Sequence, residues 1–203
     1  MSIIFKGQNM TSDNHAQPDA QFDNFFALFE QPVQFDLSQQ ALDQRLRLLQ
    51  KRYHPDNIAK SNTSDHLQQS GQASAVINQA YQTLSHPDSR AAYLLDMAGQ
   101  AQTLEHSIAD LEFLDDAMQL RIDLETAIED KERSSLQQLH PQITSRLEKQ
   151  STRFKEAYQQ EQWQTAIDAT QKLKFLVKLN ADITIALDEL ANAEQADDDD
   201  LYV

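Results

Sequence analysis

The side chains best placed to do chemistry lie in two copies of one tripeptide, His54-Pro55-Asp56 and His86-Pro87-Asp88. A histidine and a carboxylate so close together could act as a general acid–base pair. Such a pair needs a dry pocket to tune its pKa values, and two residues flanking a proline on an exposed loop do not have one. No glycine-rich phosphate loop and no metal constellation accompanies them. The chain has no cysteine, which excludes disulfides, a cysteine zinc site and thiolate ligation of a cluster. What remains is recognition: a proline turn can hold a carboxylate and an imidazole outward for a partner. Chance can write the tripeptide twice, so the elements around each copy must tell them apart.

The first copy ends a basic amphipathic helix. At about 100° per residue, Leu42, Leu46, Leu49 and Tyr53 fall in one narrow arc, with Arg45, Arg47, Lys51 and Arg52 on the other side. Ser38 is the expected N-cap, and Leu37 can staple onto Leu42. Pro55 disfavours α geometry at His54, so the helix should stop there. A polar, loop-like run follows over 57–70. A second amphipathic helix then places Val76, Ile77, Ala80, Tyr81 and Leu84 at helical spacing. The second tripeptide breaks that helix, and Arg90-Ala91-Ala92-Tyr93-Leu94-Leu95 opens a short one. Upstream, residues 22–29 read as a short aromatic-rich helix.

This order resembles the J-domain family over roughly residues 22–97. The matching residues are Tyr53-His54-Pro55-Asp56, the segment Ile77 to Leu84, and the segment Arg90 to Leu95. The resemblance makes His86-Pro87-Asp88 a structural turn between helices. It departs at Asn57, where the family usually has lysine.

Composition points to an all-α chain of one or two domains: 203 residues, 40% hydrophobic, three glycines, five prolines and few β-branched runs. No apolar stretch approaches 18 residues and no signal pattern is present, so a soluble, cytoplasmic protein with no membrane role is expected. The net charge of −15 is uneven: residues 22–97 carry −2 and residues 98–203 carry −12. Nucleic-acid binding is not expected, because a phosphate-binding surface needs clustered cations. A basic helix on a near-neutral domain suits an acidic protein surface instead.

The expected organisation is a disordered extension over 1–20, a J-domain over 21–97, a linker over 98–109, a three-helix bundle over 110–192 and an acidic tail over 193–203. Ala98-Gly99-Gln100 reads as a helix C-cap. The bundle helices are read at about 110–132, 134–160 and 162–190, with Pro141 either starting the middle one or kinking it. On the first, Phe113, Ala117, Leu120, Leu124, Ala127 and Ile128 make a core stripe. Leu114, Met118 and Ile122 make a second stripe, rotated to one side. On the last, Ala166, Thr170, Leu173, Val177 and Thr184 share one arc, while Phe175 points nearly opposite with Leu179 beside it. The bland reading is that these residues fill an interface within the chain. A second apolar stripe with an off-core aromatic would also make a partner site.

A J-domain followed by an acidic three-helix bundle resembles the HscB family of iron–sulfur co-chaperones. Matching segments are Phe113-Leu114, Leu120 to Leu124, Trp163, and Lys172 to Leu179. The resemblance implies two partners, an ATP-driven chaperone of the HscA type and a cluster scaffold of the IscU type; from the residues themselves, no cofactor or metal of the chain's own is expected. It implies that His54, Pro55, Asp56, Arg45, Arg47, Lys51 and Arg52 dock on the chaperone. It implies that Leu114, Met118, Arg121, Ile122 and Phe175 bind the scaffold, with Asp115 standing where an apolar residue is expected. The cysteine-rich extension of some eukaryotic relatives is missing, which favours a bacterial-type member. A general folding co-chaperone is the first alternative, against which stand the missing Gly/Phe-rich linker and Cys-repeat module. The second is a plain helical adaptor, which would reduce His54-Pro55-Asp56 to a turn.

Overall fold

The computed structural model describes residues 23–53, 64–100, 108 and 110–199. Among them the chain forms seven helices and no strand: α1 (Phe25–Leu28), α2 (Gln39–Arg52), α3 (Ser64–Ser85), α4 (Pro87–Met97), α5 (Leu111–Glu129), α6 (Arg133–Gln159) and α7 (Trp163–Asp199). The fold is all-α: α1 to α4 occupy the span expected to be a J-domain, and α5 to α7 form the expected three-helix unit. Ser38 caps α2 as expected, its hydroxyl accepting the Ala41 N–H at 3.4 Å. Asn24 and Asp110 cap α1 and α5 in the same way, accepting from Ala27 N at 2.9 Å and Phe113 N at 3.0 Å. Helix α3 begins at Ser64, inside the run read as a loop. Its first two turns are too polar to show an apolar face, and a helix anchored further along by burial can extend into such residues.

Leu42 and Leu49 of α2 are buried against the same core as Ile77, Ala80 and Leu84 of α3, with Leu37, Leu46 and Tyr53 at its edge. Val76 lies outside that core, 43% exposed. At the base, Gln39 on the first turn of α2 donates to the Tyr81 hydroxyl at 3.1 Å, and Tyr81 donates to Asp43 at 2.7 Å. Helix α1 contributes Phe26, Leu28 and Phe29, and α4 contributes Ala91, Leu94 and Leu95. His86 precedes α4 in extended geometry and Pro87 takes its first position, so the second tripeptide is a helix start. Two residues on, the buried Arg90 donates to the carbonyls of Leu84 (2.7 Å), Ser85 (3.5 Å) and Phe35, and its guanidinium stands 5.5 Å from the Phe35 ring centre. Burial pushes its pKa below the usual arginine value.

Four helices stop by one device. Gly99 takes φ +75°, and the Gln100 and Gly99 amides reach back to the Leu95 and Asp96 carbonyls. The same left-handed turn follows α1, α5 and α6, but there the residue is Glu30, Lys131 or Glu161, at φ 53°, 53° and 54°. Each is followed by an amide bonded five residues back: Gln31 to Phe26, Glu132 to Ala127 and Gln162 to Ala157. Helix α6 runs through Pro141 without starting at it. Pro141 is exposed, so water can satisfy the carbonyl that loses its helical donor.

The α6–α7 hairpin builds two cores. Towards its turn, Phe154 and Ala157 of α6 and Ala166, Ile167, Ala169 and Leu173 of α7 join the J-domain residues in one continuous core. Phe154 meets Phe35 with ring centres 4.8 Å apart. Tyr158 donates to the Leu94 carbonyl at 3.2 Å, and Lys155 pairs with Asp36 at 2.7 Å. At the far end, Leu120, Leu124 and Ala127 of α5 close on Leu136, Leu139 and Ile143 of α6 and Leu179, Ile183 and Ala186 of α7. The single arc read along α7 therefore needs correcting. Ala166, Thr170 and Leu173 are buried, but beyond them Leu176, Leu179, Ile183 and Ala186 take over, leaving Val177 half-buried and Thr184 exposed. Different partners cover the two halves, so the buried face shifts along the helix. The α7 helix also continues to Asp199, past the expected start of the acidic tail at 193.

Candidate interaction faces

The first face lies on α2. Arg47, Lys51 and Arg52 are exposed, and the Arg52 guanidinium stands 5.6 Å from the Tyr53 ring centre. Arg45 turns the other way: its Nε donates to the Leu28 carbonyl at 3.2 Å and its Nη2 pairs with Glu30 at 2.9 Å. It ties α2 to the end of α1, two positions from an arginine that faces solvent. Leu48 is 61% exposed among these cations. His54, Pro55 and Asp56, expected beside this face, lie outside the described residues.

The second face lies on α5. Leu114, Met118 and Ile122 recur every four residues and are 40%, 66% and 47% exposed, while Ala117, Leu120, Leu124 and Ala127 are buried on the side facing the bundle. Leu111, one turn before Leu114, extends the stripe and is 79% exposed. Sequence reading missed Leu111, although its spacing from Leu114 was visible. Arg121 is exposed beside the stripe and pairs with Glu125 one turn on, at 2.7 Å. Asp115 is exposed as well, and Asp116 reaches Arg146 of α6 at 3.3 Å.

Phe175 is half-buried rather than free. It packs at the edge of the far core and meets Phe113 edge-on, ring centres 6.3 Å apart at 82°. Phe113, read as core, is half-buried too, and Ile128 is at the exposed margin. Leu179, read beside Phe175, is core. The α5 stripe and Phe175 are thus linked through Phe113, the chain neighbour of Leu114.

A charge cluster anchors this end of α5. The Lys172 ammonium reaches Asp110 at 2.6 Å and Asp168 at 2.9 Å, and lies 5.2 Å from the Phe113 ring centre. Arg153 approaches Asp168 at 3.6 Å. The Asp110 carboxyl is held below the usual carboxylate range, first by the Lys172 bond and then by the Phe113 amide. Among the described residues no group of His, Asp and Glu could hold a metal, and no helix is long and apolar enough to cross a membrane. The arrangement offers surfaces for partners.

Two family models match the chain, a DnaJ domain over residues 32–93 and an HSCB C-terminal oligomerisation domain over residues 109–184. The chain is 39% identical over 166 residues to a co-chaperone protein HscB homolog of Photobacterium profundum, covering 79% of this chain and 94% of that one. It is 37% identical over 175 residues to a homolog of the same description from Acinetobacter baumannii, covering 86% and 96%. Among solved structures, the chaperone HscB from Vibrio cholerae superposes with a TM-score of 0.66 at 35% identity, over 82% of this chain and 99% of that one. The human co-chaperone protein HscB shares the fold, with a TM-score of 0.64 at 21% identity over 83% and 86%. With both domains matched in order, and with relatives aligned over nearly their full length, the chain belongs to the HscB family of J-domain co-chaperones.

Proposed function

We propose that this co-chaperone stimulates the ATPase of an HscA-type chaperone and delivers to it an iron–sulfur scaffold of the IscU type. The observation that carries the reading is the pair of open faces on one joined body. A cationic face lies on α2 of the J-domain, and an apolar stripe on α5 lies on the other domain. Arg47, Lys51 and Arg52 offer charge to an acidic chaperone surface. His54, Pro55 and Asp56 act beside them: Pro55 fixes the approach, Asp56 pairs with a cation of the chaperone, and His54 supplies a hydrogen-bonding ring. Arg45 contributes indirectly, by fixing α2 against α1. Docking favours the hydrolysing state of the chaperone, which then clamps its client.

Leu111, Leu114, Met118 and Ile122 provide the apolar contact for the scaffold, with Arg121 as a charged neighbour and Phe175 backing the stripe through Phe113. A stripe this continuous, on a helix whose opposite side is already buried, is poorly explained by packing within the chain. Carrying the scaffold on the body that docks the chaperone raises its local concentration there without a new contact at the client peptide. The chain itself performs no catalysis, and the proposed outcome is regulated cluster transfer from the scaffold. The expected unit boundaries, 21–97 and 110–192, serve as working limits of the two functional halves.

Single-turnover ATP hydrolysis by the cognate chaperone tests both halves. Wild-type chain should accelerate hydrolysis, scaffold should raise the rate further, and His54→Gln should abolish both effects. Acceleration that needs His54 but ignores the scaffold would discard the client assignment and leave a general folding co-chaperone. No acceleration would leave a helical adaptor.

A further inference from the structure

Lys172 is 1% exposed, the most deeply buried charged side chain among the described residues. A buried ammonium is costly unless its donors are used. Here they go to Asp110, Asp168 and the face of Phe113. The Asp110 carboxylate has a second task, since it accepts the Phe113 N–H and so caps α5. One cation on α7 therefore holds both the cap of α5 and the ring of its third residue. Leu111 and Leu114 flank Phe113, so the first half of the apolar stripe hangs on this turn. Within α5 itself, the first fully buried side chain is Ala117, one turn later. Before that point Phe113 is only half-buried, against Phe175, so burial ties the first turn down less firmly than the rest of α5.

We propose that Lys172 is a positioning residue for the client face, latching the first turn of α5 so that Leu111 and Leu114 stay in line with Met118 and Ile122. This rests on the client reading of the α5 stripe. Without the ammonium, Asp110 still caps α5 but no longer ties it to α7, and an unanchored first turn frays. Asp110 and Asp168 both retain access to water, so the fold tolerates the loss of their partner.

The test uses the full chain and three readouts: amide hydrogen exchange along α5, affinity for the scaffold, and scaffold-free stimulation of the chaperone. Lys172→Met keeps the reach and the packing but removes the charge. It should speed exchange in the first turn of α5, weaken scaffold binding by about tenfold, and leave scaffold-free stimulation unchanged. Lys172→Arg should recover most of the affinity. Adding Asp110→Asn to Lys172→Met should weaken binding no further, because both changes open the same latch. Wild-type exchange and affinity in Lys172→Met would overturn the proposal, as would a parallel fall in scaffold-free stimulation, which would mean general destabilisation. A wild-type chain that binds no scaffold would overturn the client reading and the positioning role with it. Exchange in the free chain tells that result apart from a latch that does not order α5.

Discussion

Arg45 and Arg47 lie two positions apart on α2 and have opposite duties. Arg45 spends its guanidinium on the Leu28 carbonyl and Glu30. Removing it leaves a part-buried carbonyl without a donor, so Arg45→Ala should cost about 1 kcal/mol in urea denaturation. Arg47 is exposed, and Arg47→Ala should change stability by less than about 0.5 kcal/mol. On the function proposed above, the chaperone affinity of Arg47→Ala should fall, and the loss should shrink at high salt, where exposed charges are screened. Asp110 offers a test by pH. Its folded-state pKa is depressed by Lys172 and the Phe113 amide, so its stabilisation is complete above the unfolded-state value, near 3.8, and is lost as pH falls through the lower folded value. Asp110→Asn should therefore flatten the acid limb of the stability–pH curve below about pH 4, with little change in its shape near neutrality. Thermal melts of both proteins across that limb would check this, and parallel curves would refute it.

At the scale of elements, three of the four left-handed helix stops are built without glycine. Glu30, Lys131 and Glu161 each accept the Cβ crowding of positive φ to complete the same terminal bond pattern that Gly99 completes freely. Glu161 is exposed, so Glu161→Gly removes strain without emptying a core. It should stabilise the chain by about 0.5–1 kcal/mol, the relief of strain outweighing the greater freedom of glycine in the unfolded chain. Lys131→Gly should behave alike, and chemical denaturation would measure both. The bonds at these stops are local, yet no sequence rule marks a lysine or a glutamate as the turning residue. The Ser38 cap, the α2 stripe and the Gly99 stop were legible because each depends on residues within a turn or two. The start of α3 at Ser64 was not, because its first turns carry no apolar period to read.

At the scale of the whole molecule, the two domains are joined by a core that crosses the boundary between them. Phe154, fully buried on α6, sits between Phe35 of the J-domain and Tyr158 of its own helix, ring centres 4.8 and 5.6 Å away. Phe154→Ala should destabilise the chain by roughly 3–5 kcal/mol. The loss should be felt in both domains at once, because residues of both line the space left behind. The single tryptophan gives a direct check. Trp163 packs on the shared core, 5.7 Å from Tyr158, so its fluorescence reports the junction while far-UV circular dichroism reports all helices. The two unfolding transitions should coincide in wild type. A junction that melts before the helices would show that the domains unfold separately.

The sequence by itself determined the elements and most of their faces. Apolar spacing on α2 and α5 located the buried stripes, and the excess apolar spacing at Leu114, Met118 and Ile122 located an exposed one. These are properties of one helix at a time, and periodicity alone reveals them. Only the tertiary structure decided which apolar residues beyond those stripes were covered, and by what. Leu179 is core and Thr184 is not because α7 meets the J-domain along one half and α5 along the other, a shift no single-helix projection contains. Arg45 is withdrawn from the cationic face by a carbonyl on α1, and Arg90 is buried by carbonyls on two other segments. Lys172 differs locally from Lys174 only in having Asp168 four residues before it, and it becomes a buried anchor because Asp110, 62 residues away, arrives beside it. Charge and hydrogen-bond partners are chosen by proximity in space, and that proximity exists only once the helices have packed.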